Sequence, residues 1–104
     1  MPSRILIVDD DPQILHLIKK LLQIEGYECV LANNPIQART LLLNQNFDLI
    51  LCDVDMPGGS GLDFTREVLK EYLDTAVIMV TAVDDPSLAE AALKIGAYGY
   101  ILKP

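Results

Sequence analysis

Apolar residues in this chain come in five short runs, each closed by polar or turn-forming residues, and between the runs they recur at helical spacing. Unbroken apolarity over four or five residues is the mark of a strand covered on both faces, whereas a half-solvated strand alternates. The central run is the clearest. In Asp48 to Gly59, DLILCDVDMPGG, Leu49, Ile50, Leu51 and Cys52 carry no polar break and stop at Asp53, with Asp55, Pro57, Gly58 and Gly59 following. The closing turn residues argue against a helix. Asp53 at such a strand end has two readings. It is a ligand-facing carboxylate, because ligands of open parallel sheets bind just past these ends, or it simply opens a turn.

In chain order, Arg4 to Val8 is a β-branched apolar run that ends on Asp9, Asp10 and Asp11, followed by Pro12. Asp11 before Pro12 predicts a helix start, since aspartate accepts from the first free amides and proline suits the first helical position. That helix runs to about Glu25 with Ile14, Ile18, Leu21 and Leu22 as its apolar stripe, and Gly26 terminates it. A strand is predicted over Glu28 to Ala32, then a second helix opened by Asn34 and Pro35 and running to about Asn44. After the glycine loop, Ser60 with Asp63 reads as a capping box for a third helix, Gly61 to about Tyr72, with Leu62, Phe64, Val68 and Leu69 turned inward. Ala76 to Val80 is a fourth strand, ending on Thr81 and Ala82. Asp85 and Pro86 cap a fourth helix bearing Leu88, Ala91, Ala92 and Ile95, which Gly96 stops; Tyr98 to Leu102 is the fifth strand, ending on Lys103 and Pro104.

Strict alternation of strands and helices predicts an α/β domain with a doubly wound parallel sheet and right-handed crossovers. The 104 residues make one domain, residues 1–104. Such a sheet needs cover on both faces, so a final helix is expected beyond Lys103 and its absence suggests truncation. A chain truly ending at Pro104 is expected to self-associate as a homodimer through the side carrying the first helix, or to be destabilised.

Charge narrows the partners. Fifteen acids against eight bases give a net charge of -7 with no basic run, which disfavours nucleic acid and anionic membrane as partners of this segment. No apolar run approaches the roughly 20 residues of a membrane span, so a soluble, cytoplasmic protein is expected. Cys29 and Cys52 lie inside apolar segments without metal-ligand spacing and are expected to be buried, reduced thiols.

Chemistry follows from the strand ends, which present Asp9, Asp10 and Asp11, then Asp53 and Asp55, then Thr81, then Lys103 to one crevice. Crowded carboxylates resist ionisation unless a cation compensates, so they point to a hard metal. Mg2+ suits best, because it takes few protein ligands and completes its shell with water and phosphate oxygens. A mechanism is then available: Asp53 attacks phosphorus as a carboxylate nucleophile while the metal, Thr81 and Lys103 stabilise charge on the equatorial oxygens. Asp11 is assigned to helix capping rather than to the metal.

Four segments carry a family resemblance that covers nearly the whole chain: ILIVDDDP at Ile5 to Pro12, LILCDVDMPGGSGLD at Leu49 to Asp63, VIMVTA at Val77 to Ala82, and GAYGYILKP at Gly96 to Pro104. In that order and on those elements they resemble the receiver domains of two-component response regulators. The resemblance implies a flavodoxin-like sheet of order 2-1-3-4-5. It implies Asp53 as phosphoacceptor, Mg2+ held by the carboxylates of Asp10 and Asp53 and the backbone carbonyl of Asp55, and Asp9 acting through a coordinated water. Thr81 becomes the switch hydroxyl and Lys103 the phosphoryl and carboxylate contact. Tyr100 is either the aromatic that follows the switch or a half-buried strand residue. The implied partners are a sensor histidine kinase or phosphotransfer protein, and a C-terminal output domain or downstream protein. The domain would be a signalling module that assists its own phosphorylation and dephosphorylation rather than an enzyme.

Two rivals remain at this level. A phosphohydrolase resembling the haloacid dehalogenase superfamily also uses an apolar strand ending in Asp-x-Asp, with Asp53 as nucleophile and Asp55 as general acid. Against it, the paired acids precede the nucleophile strand, and no cap domain follows Asp55. The other is a pseudo-receiver, a binding module that keeps the fold without phosphorylation.

Overall fold

The computed structural model describes residues 3–56, 59–82 and 86–103, with Asp55 described by its backbone alone. The elements run β1 (Arg4–Val8), α1 (Pro12–Ile24), β2 (Glu28–Ala32), α2 (Pro35–Asn44), β3 (Leu49–Asp53), β4 (Asp55–Met56), β5 (Gly59–Ser60), α3 (Gly61–Glu71), β6 (Ala76–Thr81), α4 (Pro86–Lys94) and β7 (Gly99–Leu102). Five strands form one parallel sheet in the order β2-β1-β3-β6-β7, which is 2-1-3-4-5 counted within that sheet. The α/β expectation and the strand order implied by the resemblance both hold. The short β4–β5 ladder, Asp55 with Ser60 and Met56 with Gly59, has no counterpart in the sequence pattern.

The unbroken apolar runs are buried on both faces because helices cover both. On one face Leu6, Val8, Ile50, Cys52, Val77 and Met79 pack against Ala38 and Leu42 of α2, Phe64 and Val68 of α3, and Ala92 of α4. On the other, Ile5, Ile7, Leu51 and Val80 pack with Leu15 of α1. Leu15, not Leu21, centres the buried stripe of α1; Leu21 is exposed, and Ile14, Ile18 and Leu22 are half-buried. Ile14, Ile18 and Leu22 keep to the inward side beside Leu15, and only Leu21 of the expected stripe faces solvent. Towards β7 the same face leaves Ile78 half-buried and Ile101 exposed.

Helix ends follow the capping residues closely. Asp11 accepts from the Gln13 amide and Asn34 from the Gln37 amide, each with proline at the next position. Gly26 and Gly96 take φ of 91° and 103° just beyond α1 and α4, where an L side chain would be strained. Ser60 caps α3 by accepting from Leu62, but no reciprocal box closes, since Asp63 pairs with Arg66 at 3.0 Å instead. The expected cap Asp85, the loop formers Pro57 and Gly58, and Pro104 lie outside the described residues.

Candidate functional site

Register brings the polar strand ends level. Val8 pairs with Cys52, so Asp9 and Asp53 each fall one residue further along neighbouring strands. Asp53 pairs with Val80, which puts Thr81 one step beyond, and Thr81 pairs with Leu102, after which comes Lys103. Two further backbone bonds extend the ladder past the strands: Asp9 N–H donates to the Ala32 carbonyl at 3.1 Å and Lys103 N–H to the Thr81 carbonyl at 2.8 Å. The site is therefore built on rigid sheet backbone.

The three consecutive aspartates divide their tasks. Asp9 is buried and its Oδ1 accepts from the Asp11 amide at 2.9 Å, which fixes its carboxylate inward; Asp10 is exposed; Asp11 caps α1 through Oδ1 to the Gln13 amide at 2.9 Å. Carboxylate oxygens of Asp9, Asp10 and Asp53 lie within 4.8 Å of one another. Asp53, like Asp9, is buried, at 5% and 3% exposure respectively. Burying like charges so close is costly without a compensating cation.

Lys103 supplies part of that compensation. Its Nζ lies 2.8 Å from Asp9 Oδ2 and 3.4 Å from Asp53 Oδ2, with only 14% of its side chain exposed, so it is not a solvated chain end. Burial opposes its charge, but the hydrogen bond to Asp9 and the fields of Asp53 and Asp9 outweigh that and hold its pKa above the ordinary lysine value. One ammonium among three carboxylates leaves the cluster net negative, and an all-oxygen donor set suits a hard divalent cation.

Thr81 is buried at the end of β6. Tyr100 is half-buried and packs on the face of the sheet that carries α2, α3 and α4. Asp55 joins the site's margin through its backbone in the β4–β5 ladder; its side chain lies outside the described residues.

Two residues at the site are not singled out by the sequence pattern. Thr65 is fully buried and its hydroxyl donates to Met79 Sδ at 3.0 Å; its spacing from Gly61, Phe64 and Val68 puts it on the inward stripe of α3, which is the available signal. Gly61 is the other, a glycine at a first helical position, where other residues serve equally well unless something approaches closely.

Cys52 lies directly beside the site, fully buried, with its Sγ donating to the Asp53 carbonyl at 3.3 Å. Burial pushes its thiol up to about 12, with the Asp53 and Asp9 charges adding to the rise and the Thr65 hydroxyl working against it. Since the thiolate is the reactive form, Cys52 is inert at neutral pH. Cys29 is half-buried, its pKa also raised by burial. Iodoacetamide at pH 7.5 is expected to modify native protein only at Cys29, and slowly, with Cys52 reacting once the chain is unfolded in urea. Peptide mapping that found Cys52 alkylated first in the native protein would contradict this picture of a closed core.

The model of the response regulator receiver domain family matches residues 5–104. The chain belongs to this family. It is 39% identical over 102 residues to the phosphate regulon transcriptional regulatory protein PhoB of Pseudomonas aeruginosa, an alignment covering 96% of this chain and 44% of that protein. To the transcriptional regulatory protein CpxR of Escherichia coli it is also 39% identical, over 98% of this chain and 43% of that protein. The chain thus spans less than half the length of these curated relatives. Among solved structures, the response regulator TrrA of Thermotoga maritima in complex with Mg2+-BeF matches with a TM-score of 0.88 and 37% identity, over 98% of this chain and 87% of that one. A CheY-like receiver domain protein of Methanospirillum hungatei matches with a TM-score of 0.93 and 35% identity, over 100% and 83%. These findings favour neither the phosphohydrolase nor the pseudo-receiver. Among the described residues, no helix is long and apolar enough to cross a membrane.

Proposed function

We propose that residues 1–104 act as one receiver domain in which Asp53 is the phosphoacceptor. The observation that carries this is the convergence of its buried carboxylate with Asp9, Asp10 and Lys103 at the carboxyl edge of the sheet. An Asp53 oxygen attacks phosphorus, a new P–O bond forms, and the bond from phosphorus to the donor breaks with its electron pair leaving on the donor. With a histidine kinase the donor atom is an imidazole nitrogen; with acetyl phosphate it is a carboxylate oxygen. Lys103 passes from bridging Asp9 and Asp53 to contacting the incoming phosphoryl oxygens, and Thr81 offers its hydroxyl to the same group.

Asp9, Asp10 and Asp53, with the Asp55 backbone carbonyl, are the residues that would hold Mg2+. When bound, the ion neutralises charge on the transferring group and on the crowded carboxylates. TrrA, which shares this fold, is crystallised in complex with Mg2+-BeF, and that supports a cation as a ligand of this domain. A sensor histidine kinase or phosphotransfer protein is the donor, and a C-terminal output domain or downstream protein reads the change in the cytoplasm. Thr81 and Tyr100 are the residues we assign to relaying it, Tyr100 from its half-buried place beside Met79 of β6.

Incubation with acetyl phosphate and Mg2+ should add the mass of one phosphoryl group to the wild type. The adduct should be lost in Asp53→Asn. Undiminished labelling of that variant at another residue would remove Asp53 from the role.

A further inference from the structure

Beneath the carboxylate cluster, the first turn of α3 lies against the peptide of Asp53 itself. The Gly61 amide donates to the Val54 carbonyl at 2.8 Å, drawing the helix start onto the chain that leaves β3. A Cβ added at Gly61 would overlap the Asp53 carbonyl oxygen, and would stand 2.8 Å from the Asp53 carbonyl carbon and 2.9 Å from Val54 Cα. All three are backbone atoms, which cannot swing aside as the tip of a long side chain can. Unlike Gly26 and Gly96, Gly61 does not have a positive φ, so space alone demands glycine here. The same Asp53 carbonyl accepts from the Cys52 thiol at 3.3 Å.

We propose that Gly61 is a positioning residue for phosphorylation: its missing side chain lets α3 clamp the Asp53 peptide and so sets where the Asp53 carboxylate stands relative to Asp9, Asp10 and Lys103. The proposal rests on the reading of Asp53 as phosphoacceptor. A side chain at position 61 forces the end of β3 and the start of α3 apart. The carboxylate moves with its own peptide, while Asp9 and Asp10, carried by β1 and the turn after it, do not. Displacing a reacting group by about 1 Å can cost up to about 100-fold in rate.

The test compares the rate constant for phosphoryl uptake from acetyl phosphate with Mg2+ in wild type, Gly61→Ala and Val68→Ala, each followed by intact mass and divided by the folded fraction from circular dichroism. Val68 is buried two turns further along α3, so its truncation loosens the same helix by way of the core. Gly61→Ala should be slower by roughly 10- to 100-fold per folded molecule, whereas Val68→Ala should keep the wild-type rate despite its lower melting temperature. A role for Gly61 in stability alone would leave the per-molecule rate unchanged, and that result would overturn the proposal. Should Gly61→Ala fail to fold, Ser60→Ala decides, because it removes the hydroxyl that caps the first turn of α3 at the Leu62 amide and so loosens the helix start that clamps the Asp53 peptide: slowed labelling per folded molecule upholds the clamp and wild-type labelling overturns it. A wild type that takes up no phosphoryl group would defeat the phosphoacceptor reading itself and the clamp with it; a labelled wild type beside an unimpaired variant would defeat the clamp alone.

Discussion

Lys103→Met should lower the rate of phosphoryl uptake from acetyl phosphate by roughly 100- to 1,000-fold, the range seen when one preorganised donor to a developing negative charge is removed. The ammonium already stands 3.4 Å from the Asp53 carboxylate and is mostly screened from water, so it needs little reorganisation to meet the incoming oxygens. Methionine keeps the stem's packing and removes only the charge and the donors. The substitution also disturbs the resting domain, because Asp9 and Asp53 are left buried without their shared partner, at a cost of roughly 1–3 kcal/mol. Millimolar Mg2+ should restore part of that stability by compensating the same carboxylates, but not the rate. Uptake by Lys103→Met at the wild-type rate would mean that the bridge between Asp9 and Asp53 plays no part in transfer.

The pH dependence follows from the sign of the shift. Lys103 has its pKa raised in the folded state, so its contribution to stability is complete below the ordinary lysine value and is lost as pH rises through the higher folded value. Wild type should therefore lose more stability than Lys103→Met in alkaline solution, with the two converging there and differing most near neutrality.

The sheet is legible in the sequence because the fold buries its strands on both faces, and continuous apolarity such as LILC at Leu49 to Cys52 is what two covered faces require. Caps are legible for the same local reason: Asp11 and Asn34 each sit before a proline and do what that pairing suggests. The site is legible as a set of strand ends, since register in a parallel sheet carries Asp9, Asp53, Thr81 and Lys103 to one edge. What escapes depends on distances between elements far apart or merely adjacent in the chain. The Asp63–Arg66 pair is three residues apart on one helix and competes locally with the box to Ser60, but nothing local says that α1 turns Leu15 inward and Leu21 out. The need for glycine at position 61 arises only from how closely α3 docks on the end of β3, a quantity with no signature in composition or periodicity.

Phe64→Ala should be the most destabilising single truncation in α3. The ring is fully buried between the sheet and α2, where it belongs to the core that holds β3 and β6 in place. Removing a buried phenylalanine side chain costs about 3–5 kcal/mol, the lost transfer energy plus the cavity that close-packed neighbours cannot fill. Total stability of a domain this size is about 5–15 kcal/mol, so the loss is a large share of it, and the melting temperature should fall by more than about 12 °C. Arg39 provides the comparison. Its guanidinium lies 5.7 Å from the centre of the Phe64 ring and its Nε 2.7 Å from Glu67, so it covers the ring and ties α2 to α3. Both partners of that ion pair are nearly half exposed, and such pairs are worth only about 0.2–1 kcal/mol, with about 0.5–1 kcal/mol more for the contact with the ring. Arg39→Ala should therefore shift the melting temperature far less than Phe64→Ala. Calorimetry on the two variants decides the matter: equal shifts would mean that the lid, rather than the buried ring, carries the stability of this corner, and that the core between α2 and α3 is looser than its burial indicates.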